Sequence, residues 1–206
     1  MDQVLLSLFF LQLESGRGEF LSTLLDPPSQ ISIDASIRGL EEIGALKSLS
    51  GVMEMTPLGI HLARIPAPPR IGKLLVMGSL LGCRNVAVTV AASLCTTRSP
   101  LQRVSGIFSK VDMREGRDQR IIDERDNILR NVGNSDHLLV AHAFSRWKKS
   151  DNVGKKQACE ILGLIPAAMW EIKQLHTQLA ASLAQAGFPD NEMSNINSTS
   201  NRVVRA

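Results

Sequence analysis

The side chains best suited to chemistry in this chain are cations. Thirteen basic and eight acidic residues lie within 98–156, and the densest basic run is Arg146-Trp147-Lys148-Lys149, followed by Lys155-Lys156. Cationic groups neutralise phosphates and release counterions, and an aromatic plane can stack on a base. Trp147 also lies one helical turn after Ala143, which is typical of a core residue above a solubilising lysine face. From these residues alone, both interpretations stay open.

The motifs do not indicate nucleotide, covalent or metal chemistry. A phosphate-binding loop needs GxxxxGK[ST], and Gly72-Lys73 and Gly154-Lys155 both lack the first glycine and the final hydroxyl residue. The four histidines do not have HExxH spacing, and no GxSxG turn is present. Asp123-Glu124-Arg125-Asp126 is expected in a solvated helix, where local ion pairs with Arg120 and Arg130 explain it. We therefore predict no catalytic residue and no metal site, and expect that this chain alone is not an enzyme.

Composition is that of an ordinary globular protein. Of 206 residues, 44% are hydrophobic and 21% charged, and a net charge of +3 is only mildly basic. Cys83, Cys95 and Cys159 are widely spaced, which indicates free, buried thiols in a reducing compartment. The apolar stretch Val4–Leu11 is too short to cross a bilayer and lacks the basic start of a signal peptide, so it predicts a buried first helix. We expect an intracellular protein of the nucleus or cytoplasm, with no membrane partner.

The first third of the chain predicts short helices and one hairpin. Residues 19–25 predict a short helix before two prolines. Four apolar residues then share one helical face: Ile33, Ile37, Leu40 and Ile43. Ser32 is the expected N-cap of this helix, and Gly44 the residue after its end. Ser50-Gly51 predicts a hairpin turn, and Thr56-Pro57 predicts the cap and first position of the next helix.

The rest of the chain predicts further helices. Segments with one apolar face run over 70–82, 121–133, 135–147, 154–162 and 166–187. Residues 86–90 are rich in β-branched residues and could form a strand. Asn85 as an N-cap and the alanines that follow favour a helix instead. Residues 100–118 predict a long polar loop, and the Asn- and Ser-rich residues 190–206 predict disorder.

Together these elements predict a mainly α fold. A winged-helix subdomain with a small β-hairpin would be followed by a helical bundle. The predicted boundaries are 1–66 for the leading helix and winged helix, 67–187 for the bundle, and 188–206 for a disordered tail.

Several short motifs follow one another in a set order. They are Leu25-Asp26-Pro27-Pro28-Ser29, Ile43-Gly44-Ala45-Leu46, Thr56-Pro57-Leu58-Gly59, Pro69-Arg70-Ile71-Gly72-Lys73, and Ser135-Asp136-His137-Leu138 with Ala143-Phe144 and Trp147. Over residues 4–180 this order resembles the helicase-associated region of DEAH/RHA-type ATP-dependent RNA helicases. Nine motif residues also have structural explanations that need no RNA: Pro27, Gly44, Pro57, Gly59, Gly72, Ser135, Asp136, His137 and Trp147.

The resemblance implies a winged helix packed on a ratchet-like helical bundle, which in the family helps to enclose the RNA channel behind two RecA-like motor lobes. Those lobes are missing from this sequence, as is most or all of the oligonucleotide-binding-fold domain that normally follows. ATP and Mg²⁺ would belong to the missing lobes, so we expect no cofactor in this chain. The implied partners are single-stranded RNA with low sequence preference, the motor lobes and oligonucleotide-binding-fold domain of the parent protein, and a protein activator. One departure from the family pattern is at residues 175–179, where an Arg before Gln178 is usual and Thr177 stands instead.

Seven cations are the candidates for RNA phosphates: Arg70, Lys73, Arg146, Lys148, Lys149, Lys155 and Lys156. Arg70 and Lys73 lie at a predicted helix start, where the helix dipole does not favour cations, so an external partner would explain them. The alternative function is a protein-interaction scaffold that binds activator segments through the winged-helix face, residues 33–65. Charge reversal in the 146–149 run would abolish RNA binding but spare a peptide partner.

Overall fold

The computed structural model describes residues 1–11, 17–49, 51–103 and 114–189. The predicted disordered residues 190–206 and residues 104–113 of the predicted 100–118 loop lie outside these ranges. For residues 114–118 the loop prediction is wrong, because they form the start of a helix. Within the described ranges the fold is mainly α, as predicted, with ten helices and one two-stranded sheet. The elements are α1 Asp2–Phe10, α2 Arg17–Ser22, α3 Gln30–Glu42, β1 Leu46–Leu49, β2 Val52–Met55, α4 Pro57–Arg64, α5 Pro69–Leu80, α6 Arg84–Leu94, α7 Arg114–Asn131, α8 Asp136–Lys149, α9 Asn152–Leu162 and α10 Pro166–Gln185.

The chain divides into two compact units. Residues 1–77 and 182–189 form the first unit, and residues 78–181 form the second. The domain boundaries predicted at residues 66 and 187 stay predictions. Among the described residues, no helix is long and apolar enough to pass through a lipid bilayer.

Two helices of the first unit begin or end differently from the prediction. Helix α2 ends at Ser22, because Thr23 directs both its backbone N–H and its hydroxyl to the Phe20 carbonyl oxygen. Helix α3 has Ser29 as its N-cap, whose hydroxyl accepts a hydrogen bond from the Ser32 N–H at 3.3 Å. The predicted cap at Ser32 is therefore wrong, since the chain turns into the helix three residues earlier.

The hairpin prediction is confirmed. Strands β1 and β2 pair antiparallel in a register that runs from Leu46↔Met55 to Leu49↔Val52. Gly51, at the tip, has φ +83°, a backbone conformation that favours glycine. Thr56 then caps α4 as predicted, because its hydroxyl oxygen accepts a hydrogen bond from the Gly59 N–H at 3.0 Å.

In the second unit, residues 86–90 are helical, as favoured by the sequence. They lie within α6, whose alanines and valines are largely buried. Cys83 occupies the N-cap without a side-chain hydrogen bond, so the predicted cap at Asn85 is wrong. Helix α6 packs very close to the end of α5, because a Cβ atom added at Gly78 would collide with that of Ala87.

The remaining helices form the frame around the basic cluster. Ser135 caps α8, and Asp151 caps α9 through a 2.8 Å hydrogen bond from the Gly154 N–H to its carboxylate. Gly163 ends α9 in the left-handed conformation, with φ +59°. Helix α10 buries Ala168 and Ile172 on the predicted face. At the α8–α9 junction, the Ser150 N–H donates to the Trp147 carbonyl oxygen at the end of α8, and the Asp151 cap begins α9 two residues after the densest cationic run.

Candidate nucleic-acid interface

Exposed cations are concentrated where α8 ends and α9 begins. Lys148 and Lys149 lie in the last turn of α8, where the negative end of the helix dipole stabilises cations, and Lys156 lies on α9. All three side chains are exposed. In the part of the chain that the structure describes, none of them forms an ion pair. These ammonium groups are therefore available to an external anion.

Two other predicted cations in this region are held by neighbours. The Arg146 guanidinium lies 3.4 Å from a carboxylate oxygen of Glu124 on α7. The Lys155 ammonium lies 5.4 Å from the ring centroid of Trp147 and 5.6 Å from that of Trp170. Contacts at these distances are cation–π interactions. The Lys148 ammonium also lies 6.0 Å from the ring centroid of Phe144, at the outer limit of such a contact. The structure thus brings five predicted cations to one region, and three of them, Lys148, Lys149 and Lys156, form no ion pair with another described residue.

Trp147 is a core residue. It is 1% exposed and stacks with Phe144 at a centroid distance of 6.0 Å. Burial raises the pKa of the Cys159 thiol, and hydrogen bonding by the Trp147 indole opposes that rise. Of the two interpretations that the sequence left open for this ring, the core position is confirmed. A base cannot reach it.

Sequence reasoning missed Trp170, an exposed aromatic ring beside these cations. Trp170 is 46% exposed and meets Trp147 edge-on, at a centroid distance of 5.1 Å and an interplanar angle of 86°. The Lys173 ammonium lies 4.8 Å from the Trp170 ring centroid. Trp170 lies off the apolar face that Ala168 and Ile172 define on α10, and a tryptophan off the buried face of a helix is the signal that could have identified it.

Arg70 and Lys73 lie in the first unit and contact the end of α3. Arg70 pairs with Glu42 at 3.2 Å, and both side chains are well exposed. The Lys73 ammonium donates a 2.8 Å hydrogen bond to the carbonyl oxygen of Ile43, the C-cap of α3. Cations at a helix C-terminus are stabilising, so these two residues have an internal function that the sequence did not reveal. An RNA contact from either one stays a prediction.

Comparison with known proteins gives the family. Residues 68–140 match the family model described as helicase associated domain (HA2), ratchet-like. Over 100% of its own length, the chain is 34% identical to the human ATP-dependent DNA/RNA helicase DHX36. It contains a helicase-associated region of the DEAH/RHA type. Such a region is an accessory module of a helicase.

Other relatives of this helicase-associated region include the DExH-box ATP-dependent RNA helicase DExH1 of Arabidopsis thaliana and the human putative ATP-dependent RNA helicase DHX57. DExH1 is 31% identical over 86% of this chain and 16% of its own length. DHX57 is 31% identical over 91% of this chain and 13% of its own length. DHX36 is matched over 20% of its length, so the chain spans a fifth or less of these relatives. The basic cluster and Trp170 lie beyond the residues that the family model matches.

The charged segment Asp123-Glu124-Arg125-Asp126 contributes to tertiary structure through Glu124 and Arg125. The Arg125 guanidinium donates hydrogen bonds to the carbonyl oxygens of Leu162, at 2.9 Å, and Gly163, at 3.0 Å, at the end of α9. Desolvation lowers the pKa of Arg125, and Asp136 opposes that shift. Because Glu124 pairs with Arg146 on another helix, the prediction of purely local pairing is wrong for Glu124 and Arg125. Among the described residues, no cluster of three or more metal-ligating side chains occurs.

Several family-motif residues lie at tight backbone positions. Gly44 has φ +76°, directly after α3, and Pro57 occupies the first turn of α4. A Cβ atom at Gly59 would collide with the Ala45 carbonyl oxygen, and one at Gly72 would lie 3.1 Å from a methyl group of Leu62. Four other family-motif residues do not lie at tight backbone positions. Ser135 caps α8 and Asp136 lies in the first turn of that helix, while His137 and Pro27 are exposed at the surface.

Proposed function

We propose that this helicase-associated region holds single-stranded RNA by its phosphate backbone and couples the strand to the motor lobes of its parent protein. The observation that carries the proposal is the clustering of three exposed ammonium groups at the α8–α9 junction, those of Lys148, Lys149 and Lys156, which form no ion pair with another described residue. The names of the relatives, which are helicases of RNA or of DNA and RNA, support RNA as the polyanion.

Ammonium groups bind phosphates as point charges and read no base edges. Binding through this surface would therefore have little sequence preference, which suits a module that must pass successive nucleotides. ATP and Mg²⁺ would be bound by the motor lobes, and an oligonucleotide-binding-fold domain would be a further neighbour of the strand. The isolated chain would bind RNA weakly, because only a few phosphates are neutralised.

Charge reversal tests this function. We expect the triple variant K148E/K149E/K156E to bind a single-stranded oligouridylate of about 12 nucleotides at least roughly tenfold more weakly than the unmodified chain, because three phosphate contacts become repulsive. Fluorescence anisotropy of a labelled oligonucleotide at low salt measures the affinity. Arg146 is left unchanged, since a carboxylate there would face Glu124.

The control variant is R117E/R120E/R130E, which makes the same change in net charge on exposed residues of α7. We expect it to weaken binding much less, because its charges lie on another helix. Equal losses in the two variants would show that only net charge matters. Absence of binding by the unmodified chain would refute the proposed function.

A second function, a protein-interaction scaffold, is favoured by one observation. Leu49 and Val52 flank the hairpin turn with exposed apolar side chains, and Ile60 of α4 is also exposed. An activator segment could cover these side chains without any contribution from lysines. The K148E/K149E/K156E variant separates the two functions, since it would lose RNA but retain such a segment.

A further inference from the structure

We infer that Trp170 is a stacking site for one unpaired nucleobase of the strand that the lysines hold. The inference rests on the proposed function and adds a second kind of contact to it. Every base has a π-face, so stacking tolerates any sequence.

The indole of Trp170 is both accessible and held in place. It is 46% exposed, and Trp147 holds it edge-on at a centroid distance of 5.1 Å. Trp147 is itself fixed by its burial and by stacking with Phe144. An aromatic side chain that is already ordered loses little conformational entropy when a ligand binds to it. Trp170 is therefore a preorganised platform.

The charges around this ring fit a nucleotide. The ammonium groups of Lys155 and Lys173 lie 5.6 and 4.8 Å from its centroid. The neighbouring carboxylate of Glu171 is occupied, because it accepts hydrogen bonds from the N–H and hydroxyl of Thr97 at 3.0 and 3.1 Å. Two ammonium groups thus lie beside the ring, and the neighbouring carboxylate is engaged by hydrogen bonds from Thr97.

The lysines over the ring do not prevent stacking. An exposed cation–π contact is weaker than the stacking of a base on an aromatic ring. A flexible lysine stem lets the ammonium leave the ring face when a base arrives. The released ammonium can then pair with a phosphate on either side of that base. Base stacking and phosphate pairing would therefore occur together in one bound nucleotide.

Intrinsic fluorescence tests this site, because the chain has two tryptophans and only Trp170 is accessible. The probes are an oligouridylate of about 12 nucleotides and an abasic strand of the same length and charge. We expect the oligouridylate to quench the fluorescence and the abasic strand not to. Trp170→Leu should remove the quenching and weaken oligouridylate binding roughly tenfold, with no change in abasic-strand binding.

Trp170→Phe is the matched control, because it keeps an aromatic face and should retain most of the affinity. Wild-type affinity of Trp170→Leu for the oligouridylate would overturn the stacking site but leave the proposed function intact. Equal weakening for both strands would also overturn it, since the residue would then act through the fold. If neither strand binds the unmodified chain, the proposed function fails and the stacking site fails with it.

Discussion

Trp147 and Trp170 are the same residue type in one aromatic cluster, yet they differ in accessibility. Trp147 is almost completely buried and Trp170 is nearly half exposed. Helical spacing from Ala143 predicts the buried position of Trp147. The position of Trp170 off the apolar face of α10 indicates exposure, but the neighbours of its ring depend on how α8, α9 and α10 pack around it, which no local pattern gives. At the residue scale, periodicity identifies core side chains better than it identifies binding residues.

Close packing of the backbone at glycines is a second effect at the residue scale, and it gives a prediction for stability. At Gly59 a Cβ atom would collide with the Ala45 carbonyl oxygen, which is backbone and cannot easily move. We expect Gly59→Ala to lower the free energy of unfolding by about 1–3 kcal/mol, as overpacking does. Urea denaturation followed by circular dichroism measures the change.

Gly116→Ala is the control for that prediction. Gly116 lies in the first turn of α7 with open space around the added Cβ atom, so alanine should be neutral or should stabilise the chain by about 0.4–1 kcal/mol. A Gly59→Ala variant as stable as the Gly116→Ala variant would contradict the close approach of α4 to Ala45.

At the element scale, the sequence predicts which segments are helical more reliably than where they begin. The caps at Thr56 and Ser135 are as expected, whereas those at Ser32 and Asn85 are wrong. Polar residues that can cap a helix lie within a few positions of one another, and the tertiary turn decides which one is used. Ser29 is the N-cap of α3, because its backbone is still extended directly after Pro28.

The cap of α9 offers an element-scale prediction. The Asp151 carboxylate accepts the Gly154 N–H at 2.8 Å, and α9 carries two of the cations at the proposed interface. We expect Asp151→Ala to destabilise the chain by about 1 kcal/mol, while Asp151→Ser keeps most of the stability because serine also caps. Thermal denaturation of the two variants measures the difference, and equal stability of both would argue against the cap.

At the scale of the whole molecule, the order of elements and motifs predicts the fold class and the family. It does not predict that residues 182–189 belong to the first unit. Their contacts are long-range: the His61 ring nitrogen Nδ1 lies 2.9 Å from the Ala186 carbonyl oxygen, and the His61 ring meets Phe188 edge-on. Periodicity describes one helix at a time and contains no information on pairings across more than a hundred residues.

The chain spans a fifth or less of the length of DHX36, DExH1 and DHX57. Its own affinity for RNA is therefore best measured with the isolated chain, without motor lobes. The central claim is that a few ammonium groups hold the phosphates of a single strand. Each neutralised phosphate contributes about −0.7 to the slope of log K against log salt concentration for single strands. The slope therefore counts the contacts directly.

The decisive measurement is the affinity of the unmodified chain and of K148E/K149E/K156E for an oligouridylate between about 50 and about 200 mM KCl. We predict a linear fall in log K with a slope of about −2 to −4 for the unmodified chain, and a slope shallower by about 2 for the triple variant. Salt-independent binding, or the same slope in both proteins, would contradict the account.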